Sequence, residues 1–287
     1  MIFIGDKNNA KLAAVDTLTP KPGSLEAKIF ANDAYTWVDA AFDGTRDELY
    51  VTSSSQIDVY SSASKLDGTI VASRTIKPVI TGFILFARAY LDKANDRLYV
   101  GVKAAYNSGV AVFEQASKLN GSVAPSRMIR GSFYQGNFAL DLKRNLLYSA
   151  PENITPGAID VFEHIDTATG ELTRARTIRI PGAAWRFAVD SGHDRLYVVS
   201  EQGKMIIVDA ASTAAGTTPF TMLPLPTSSY GSAVAIDATN DRLYAAYGAQ
   251  TFVLNDASKL NAASATAQAA AISGPANSYI RYFAVRQ

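Results

Sequence analysis

Apolar and polar positions alternate along this chain in short runs, and no stretch keeps a helical period. Between residues 85 and 130 the runs read LFARAYL (85–91), RLYVGVK (97–103), GVAVF (109–113) and SRMIR (126–130). Each is rich in β-branched and aromatic residues and is bounded by Gly, Asn, Asp, Ser or Pro, which predicts four short strands. The segment ASKL, at 63–66, 116–119 and 257–260, falls between the third and fourth runs and predicts a tight turn there.

The pattern repeats. LDKANDRLYVGV (91–102) returns as FDGTRDELYVTS (42–53), LDLKRNLLYSAP (140–151), VDSGHDRLYVVS (189–200) and IDATNDRLYAAY (236–247). Its tyrosines, Tyr50, Tyr99, Tyr148, Tyr197 and Tyr244, are spaced by 49, 49, 49 and 47 residues, and a step of 47 back from Tyr50 reaches Phe3 in a similar apolar run. Six second strands in units of about 48 residues predict an all-β, six-bladed β-propeller with four-stranded antiparallel blades. One domain would span 1–287, with repeats starting near 35, 84, 133, 183 and 229. Residues 279–287 would join 1–30 in the last blade and close the ring.

The repeated residues are expected to be structural. Asp43, Asp92, Asp141, Asp190 and Asp237 end the first strands. Asp47, Asp96, Asn145, Asp194 and Asp241 follow four residues later. Asp and Asn satisfy free N–H groups in turns. The Leu-Tyr-Val triplets alternate across strands buried on both faces. Arg74, Arg127 and Arg176 recur on the fourth strand, where solvated rim positions are expected.

Taken together, strand-Asp-x3-Asp-Arg-Leu-Tyr-Val, then x-Ile-x-Val-Tyr/Phe, then ASKL-Asn/Asp-Gly, then Arg-x-Ile, resembles bacterial NHL/YVTN-type propeller repeats. The resemblance covers nearly the whole chain and speaks to fold, since such propellers host enzymes, receptors and scaffolds alike. It implies that the first strand of each blade lies nearest the central axis.

Candidate chemistry is sought where the copies differ. Four positions before the end of each first strand stand Asp39, Arg88, Asn137, Arg186, Ala233 and Tyr282, with Trp37, Gln135, Trp185 and Arg281 nearby and Tyr134, Tyr230 and Tyr279 opening three of these strands. If the first strands line the axis, these residues converge at one mouth of the channel. Arg offers fork-shaped donors to an anion, and aromatic rings offer stacking faces. The competing reading pairs Asp39 with Arg88 or Arg186 and leaves a polar plug. The turns between second and third strands, which include Ser53, Lys103, Glu152, Glu201 and Lys204, vary between repeats as binding loops do.

Composition narrows the chemistry. There is no cysteine, which excludes disulfides, thiolate catalysis and Cys-ligated metals. His164 and His193 are the only histidines and leave little for a three-His zinc site or a Ser-His-Asp triad. A calcium-dependent lactonase site needs converging carboxylate and amide oxygens. Asp39 and Asn137 suit it, with Glu152 or Glu201 as a further oxygen donor, but Arg88 and Arg186 in the same set oppose a cation. With a net charge of +1 and no basic run, nucleic acid is not expected as a partner. No apolar run is long enough to span a membrane, and the opening MIFIGDKNN lacks the charged leader of a secretory signal. The thiol-free, weakly charged composition suits a periplasmic or extracellular protein.

Two functions follow as expectations. The first is a non-enzymatic binding or scaffold module for a protein partner, glycan or small anion at the channel mouth, acting as a monomer or as a subunit of a larger assembly. It needs no cofactor. The second is a calcium-dependent lactonase, another hydrolase or a lyase with its site at the top of the channel.

Overall fold

A computed structural model describes residues 2–6, 11–15, 28–31, 38–81, 83–104, 108–131, 133, 137–150, 157–200, 203–248, 250–263, 270–273 and 280–285. The strands are β1 (Ile2–Asp6), β2 (Lys11–Val15), β3 (Lys28–Ala31), β4 (Asp39–Asp43), β5 (Glu48–Thr52), β6 (Ile57–Ser61), β7 (Gly68–Thr69) and β8 (Arg74–Pro78). Next come β9 (Phe83–Asp92), β10 (Arg97–Ala104), β11 (Gly109–Glu114), β12 (Gly121–Val123) and β13 (Arg127–Arg130). Then follow β14 (Phe138–Asp141), β15 (Leu146–Ser149), β16 (Ala158–Glu163), β17 (Gly170–Glu171) and β18 (Arg176–Arg179). The remainder are β19 (Arg186–Asp190), β20 (Arg195–Val199), β21 (Lys204–Asp209), β22 (Thr221–Pro224), β23 (Gly231–Asp237), β24 (Arg242–Tyr247), β25 (Gln250–Asn255), β26 (Ala270–Ser273) and β27 (Ile280–Val285). Among the described residues no helix is long and apolar enough to cross a membrane.

Five blades each take their four main strands from one continuous run of chain: β4-β5-β6-β8, β9-β10-β11-β13, β14-β15-β16-β18, β19-β20-β21-β22 and β23-β24-β25-β26. Strands from the two chain ends make a separate sheet in the order β27-β1-β2-β3, with β7 added beside β3. The expected six four-stranded antiparallel blades in a closed ring are therefore corrected to five blades and a sheet of terminal strands. The strand count changes too. β7, β12 and β17 each leave their own repeat and run parallel to the outer strand of the preceding sheet, on β3, β8 and β13. Gly68, Gly121 and Gly170 open these strands at φ +62°, +69° and +73°, a conformation that favours glycine. An alternating pattern two or three residues long is too short to predict such a strand. In the third blade the same place holds a single parallel bridge, Ile178 to Gly216.

The chain divides into two compact units. Unit 1 comprises 1–137, 168–172 and 281–287, and unit 2 comprises 138–167 and 173–280. Within unit 1, alternation along one strand feeds two cores. Leu49 and Val51 pack with Phe3, Phe42, Tyr60 and Ala284. Tyr50, between them, packs with Leu91, Leu98, Val100 and Phe113 of the next blade. Within unit 2, Tyr197, Val199 and Ile207 of the fourth blade meet Val234, Leu243, Tyr247 and Phe252 of the fifth.

The five strand-ending aspartates are buried and close the hairpin turns. Asp43 Oδ1 accepts the N–H groups of Thr45 and Arg46, and Oδ2 accepts the Arg46 guanidinium at 2.9 Å. Burial pushes the Asp43 carboxyl up, but these donors outweigh it and hold its pKa below the usual aspartate value. Asn95, Arg144, His193 and Asn240 take the Arg46 place in the other blades.

The second acidic position is a clamp. Asp47, Asp96, Asp194 and Asp241 sit at φ between +48° and +55°, a conformation in which Asp and Asn are enriched. Their carboxylates accept both the N–H and the Oγ–H of Ser64, Ser117, Ser212 and Ser258 in the turn before the outer strand. The third blade exchanges the partners: Asn145 stands for Asp and Asp166 for Ser, with the Asp166 N–H bonded to Asn145 Oδ1 and Asn145 Nδ2 donating to Asp166. The carboxylate has changed sides while every donor still meets an acceptor.

The expectation that Arg74, Arg127 and Arg176 are solvated rim residues is overturned. Arg74 donates to the carbonyls of Ala116 and Leu119 in the second blade, both at 2.9 Å. Arg127 reaches Ala168 O at 2.8 Å, and Arg176 reaches Ser212 O. These carbonyls lie in short turns; Ala116 O also accepts the Leu119 N–H of its own turn at 3.4 Å, and Arg74 supplies its shorter bond. In the fourth blade the outer strand has Thr221 at this place, and Arg195 on β20 donates instead to Ala257 O and Leu260 O.

Two stability predictions arise here. Tyr197 Oη donates to Ala257 O at 2.8 Å, whereas buried Tyr148 Oη has no partner among the described residues, because Leu146 stands where Glu48, Arg97 and Arg195 stand in its siblings. Tyr197→Phe is expected to cost about 1 kcal/mol and Tyr148→Phe to be neutral or stabilising in urea denaturation. If both variants lose the same amount, the difference between the blades is not real.

Asp58 is buried on β6, and burial raises its pKa against hydrogen bonds from Thr75 and Gln56. A carboxyl whose folded pKa lies above its unfolded value costs stability as pH rises from the unfolded pKa through the folded one. Asp58→Asn keeps the acceptor for Thr75 and Gln56. It should stabilise by about 1 kcal/mol near neutral pH and have no effect below the range in which aspartate titrates, as followed by thermal melts across pH.

Candidate functional site

Asp39 opens β4 with its side chain buried against β9. Oδ1 accepts the Ala40 N–H at 2.9 Å and Oδ2 the Ala89 N–H at 3.0 Å. Arg88 Nε lies 3.8 Å from Oδ2. Burial pushes the Arg88 pKa down and the Asp39 charge opposes it. A guanidinium stays protonated regardless. This pairing within unit 1 is one of the two alternatives expected from sequence.

Asn137, buried just before β14, is the other proposed metal-ligating position. A calcium site needs oxygens with lone pairs to spare and no fixed positive neighbour. Both Asp39 oxygens already accept backbone N–H groups, and Arg88 is beside them. Among the described residues no group of three or more His, Asp or Glu is placed to hold a metal. His193 Nδ1 is 2.8 Å from Asp190 Oδ2 and belongs to its turn, while His164 takes the φ +59° position before the outer turn of the third blade.

The second cluster lies in unit 2. Trp185 and Arg186 lead into the fourth blade, and Arg186 Nη1 donates to Trp185 O at 3.1 Å. The Trp185 ring stands at 83° to that of Tyr230, with centroids 6.4 Å apart, and Tyr230 is 53% exposed. Ser200 joins the segments that carry these side chains. Its Oγ donates to Ala183 O at 2.7 Å, its N–H to Lys204 O at 2.9 Å, and its carbonyl accepts the Gly231 N–H at 3.0 Å. Gly203 N–H adds a bond to Ser229 O at 3.0 Å, and Lys204 beside it is exposed.

Trp37, Gln135, Tyr134, Tyr279, Glu152 and Glu201 lie outside the described residues. Arg281 and Tyr282 lie on β27, where only the backbone is described. Sequence reasoning placed Tyr230 at a strand start and Lys204 in a turn but missed Ser200 as the residue joining them. A usable signal was present: Ser53 occupies the same register in the first blade and likewise closes its hairpin, N–H to Gln56 O at 2.9 Å.

No family model matches the chain and no curated protein matches its sequence, so the repeat type expected from the ASKL and Leu-Tyr-Val patterns is not confirmed. The chain is similar in structure to one in the crystal structure of a nidogen/laminin complex, with a TM-score of 0.65 and 14% identity over 99% of this chain and 97% of that chain. At that identity the likeness concerns the fold, and with the sheet topology it establishes an all-β β-propeller fold.

Proposed function

We propose that this chain is a non-catalytic binding module for a protein partner, acting outside the cytoplasm. The observation that carries the reading is the contrast between the two clusters. Asp39 is closed by two backbone N–H groups with Arg88 3.8 Å away, whereas Tyr230, its ring edge-on to that of Trp185, is 53% exposed. The chain-long likeness to a structure of a protein–protein complex is in keeping with this reading. The cysteine-free composition supports an extracytoplasmic setting.

The test is to identify a protein cross-linked to the chain in an extract of its source, purify it, and titrate it against the purified chain by calorimetry. Saturable binding with a Kd of micromolar or below, about −8 kcal/mol or stronger, supports the proposal. Binding only of sugars or small anions overturns it. A large calcium-dependent rise in melting temperature, abolished by Asp39→Ala, would instead favour the lactonase reading.

A further inference from the structure

We propose that Trp185, Arg186, Lys204 and Tyr230 form the anchoring patch of the binding surface on unit 2, and that it takes a partner loop presenting an acidic side chain beside an apolar one. The inference rests on the binding-module reading and assigns it a location and a chemistry.

Three observations support it. Trp, Tyr and Arg are the residue types that dominate binding energy at protein interfaces, where large rigid rings exclude water around a charged contact. Here all three occur together, and the ring of Tyr230 is braced edge-on by Trp185 while 53% exposed. The patch is also pre-organised. Ser200 ties the backbones next to Trp185, Lys204 and Tyr230 through three hydrogen bonds, so less ordering is needed when a partner docks. Finally, Lys204, exposed at the end of its turn, and half-buried Arg186, which donates to Trp185 O, bring two cations to these segments. That favours a carboxylate, and the planar guanidinium suits one in particular. The exposed tyrosine face supplies an apolar contact next to it.

The experiment selects peptides from a random phage-displayed library against the intact chain and measures the winners by fluorescence anisotropy. Selected peptides are expected to carry Asp or Glu beside an apolar residue. Tyr230→Ala and Arg186→Glu should each weaken them about thirtyfold, as truncating an interface anchor does. Lys204→Glu, at an exposed position, should weaken them without touching the fold. Tyr230→Phe should retain most binding, and unchanged melting temperatures would show that losses are local. Peptides without an acidic bias, no enrichment at all, or equal binding by Tyr230→Ala and Arg186→Glu would overturn the proposal. The cross-linked partner separates the two readings. If it binds the chain and both of these variants equally, the patch is wrong and the module reading stands. If no protein binds the unaltered chain, the module reading itself falls.

Discussion

Arg74→Ala is expected to lower stability by about 3–5 kcal/mol, the cost of removing one member of a buried charged network. Arg74 holds four groups at once: Ala116 O and Leu119 O at 2.9 Å, Glu48 Oε2 at 2.8 Å and Tyr50 Oη at 2.9 Å. Its side chain and that of Glu48 are each only 13% exposed, so water cannot replace it cheaply. The guanidinium also lies 5.2 Å from the centroid of the Tyr50 ring. Alanine would take this donor from Leu119 O, leave Ala116 O with the weaker 3.4 Å bond from the Leu119 N–H, and leave the Glu48 carboxylate with the Tyr50 hydroxyl but no cation. Arg74→Lys should recover little, because one ammonium cannot span both carbonyls and the carboxylate. Urea denaturation measures the loss, and the Arg74→Ala, Glu48→Gln double variant measures the coupling. A loss below about 1 kcal/mol, the range of a surface ion pair, would restore the rim reading.

Gly203→Ala should be nearly as costly, at roughly 2–4 kcal/mol from left-handed strain and overpacking together. Gly203 has φ +71°, and an added Cβ would lie 2.3 Å from Thr227 O and 2.7 Å from Leu225 O. Both neighbours are backbone, so no side chain can swing aside. The relaxation has to move the segment that bonds Ser229 and carries Lys204. The variant is therefore expected to lose peptide binding as well as stability, whereas Lys204→Glu loses binding alone. Thermal melts and anisotropy on both variants check this, and a stable Gly203→Ala protein with full binding would refute the account.

Local chemistry explains what was legible in the chain. Strand period and turn residues act between near neighbours, so the Leu-Tyr-Val strands, the hairpins closed by Asp43 and its siblings, and the tight ASK turns could all be read from spacing. The charge exchange between Asn145 and Asp166 was only half visible. Asn145 stands out in the alignment, but its partner is 21 residues away. The binding residues divide in the same manner. Trp185 and Arg186 stand out as departures from their siblings, while the Ser200 bonds that join them to Lys204 and Tyr230 cross from one strand end to another.

The sequence by itself determined an all-β chain of repeated four-strand units, because alternation and turn chemistry need no long-range information. Tertiary structure alone decided the rest. Gly68, Gly121 and Gly170 lead short parallel strands onto the preceding sheet, since an outer edge offers unpaired backbone groups. Arg74 became a link between blades because turn carbonyls of the next blade lie within its reach, Ala116 O being met by its own turn only at 3.4 Å. Asp39 was closed by Arg88 and by the Ala89 N–H of the adjoining blade, which only the packing of β4 against β9 brings near. In each case the deciding partner is distant in sequence, and desolvation at the contact makes an unmet donor or acceptor too costly to leave.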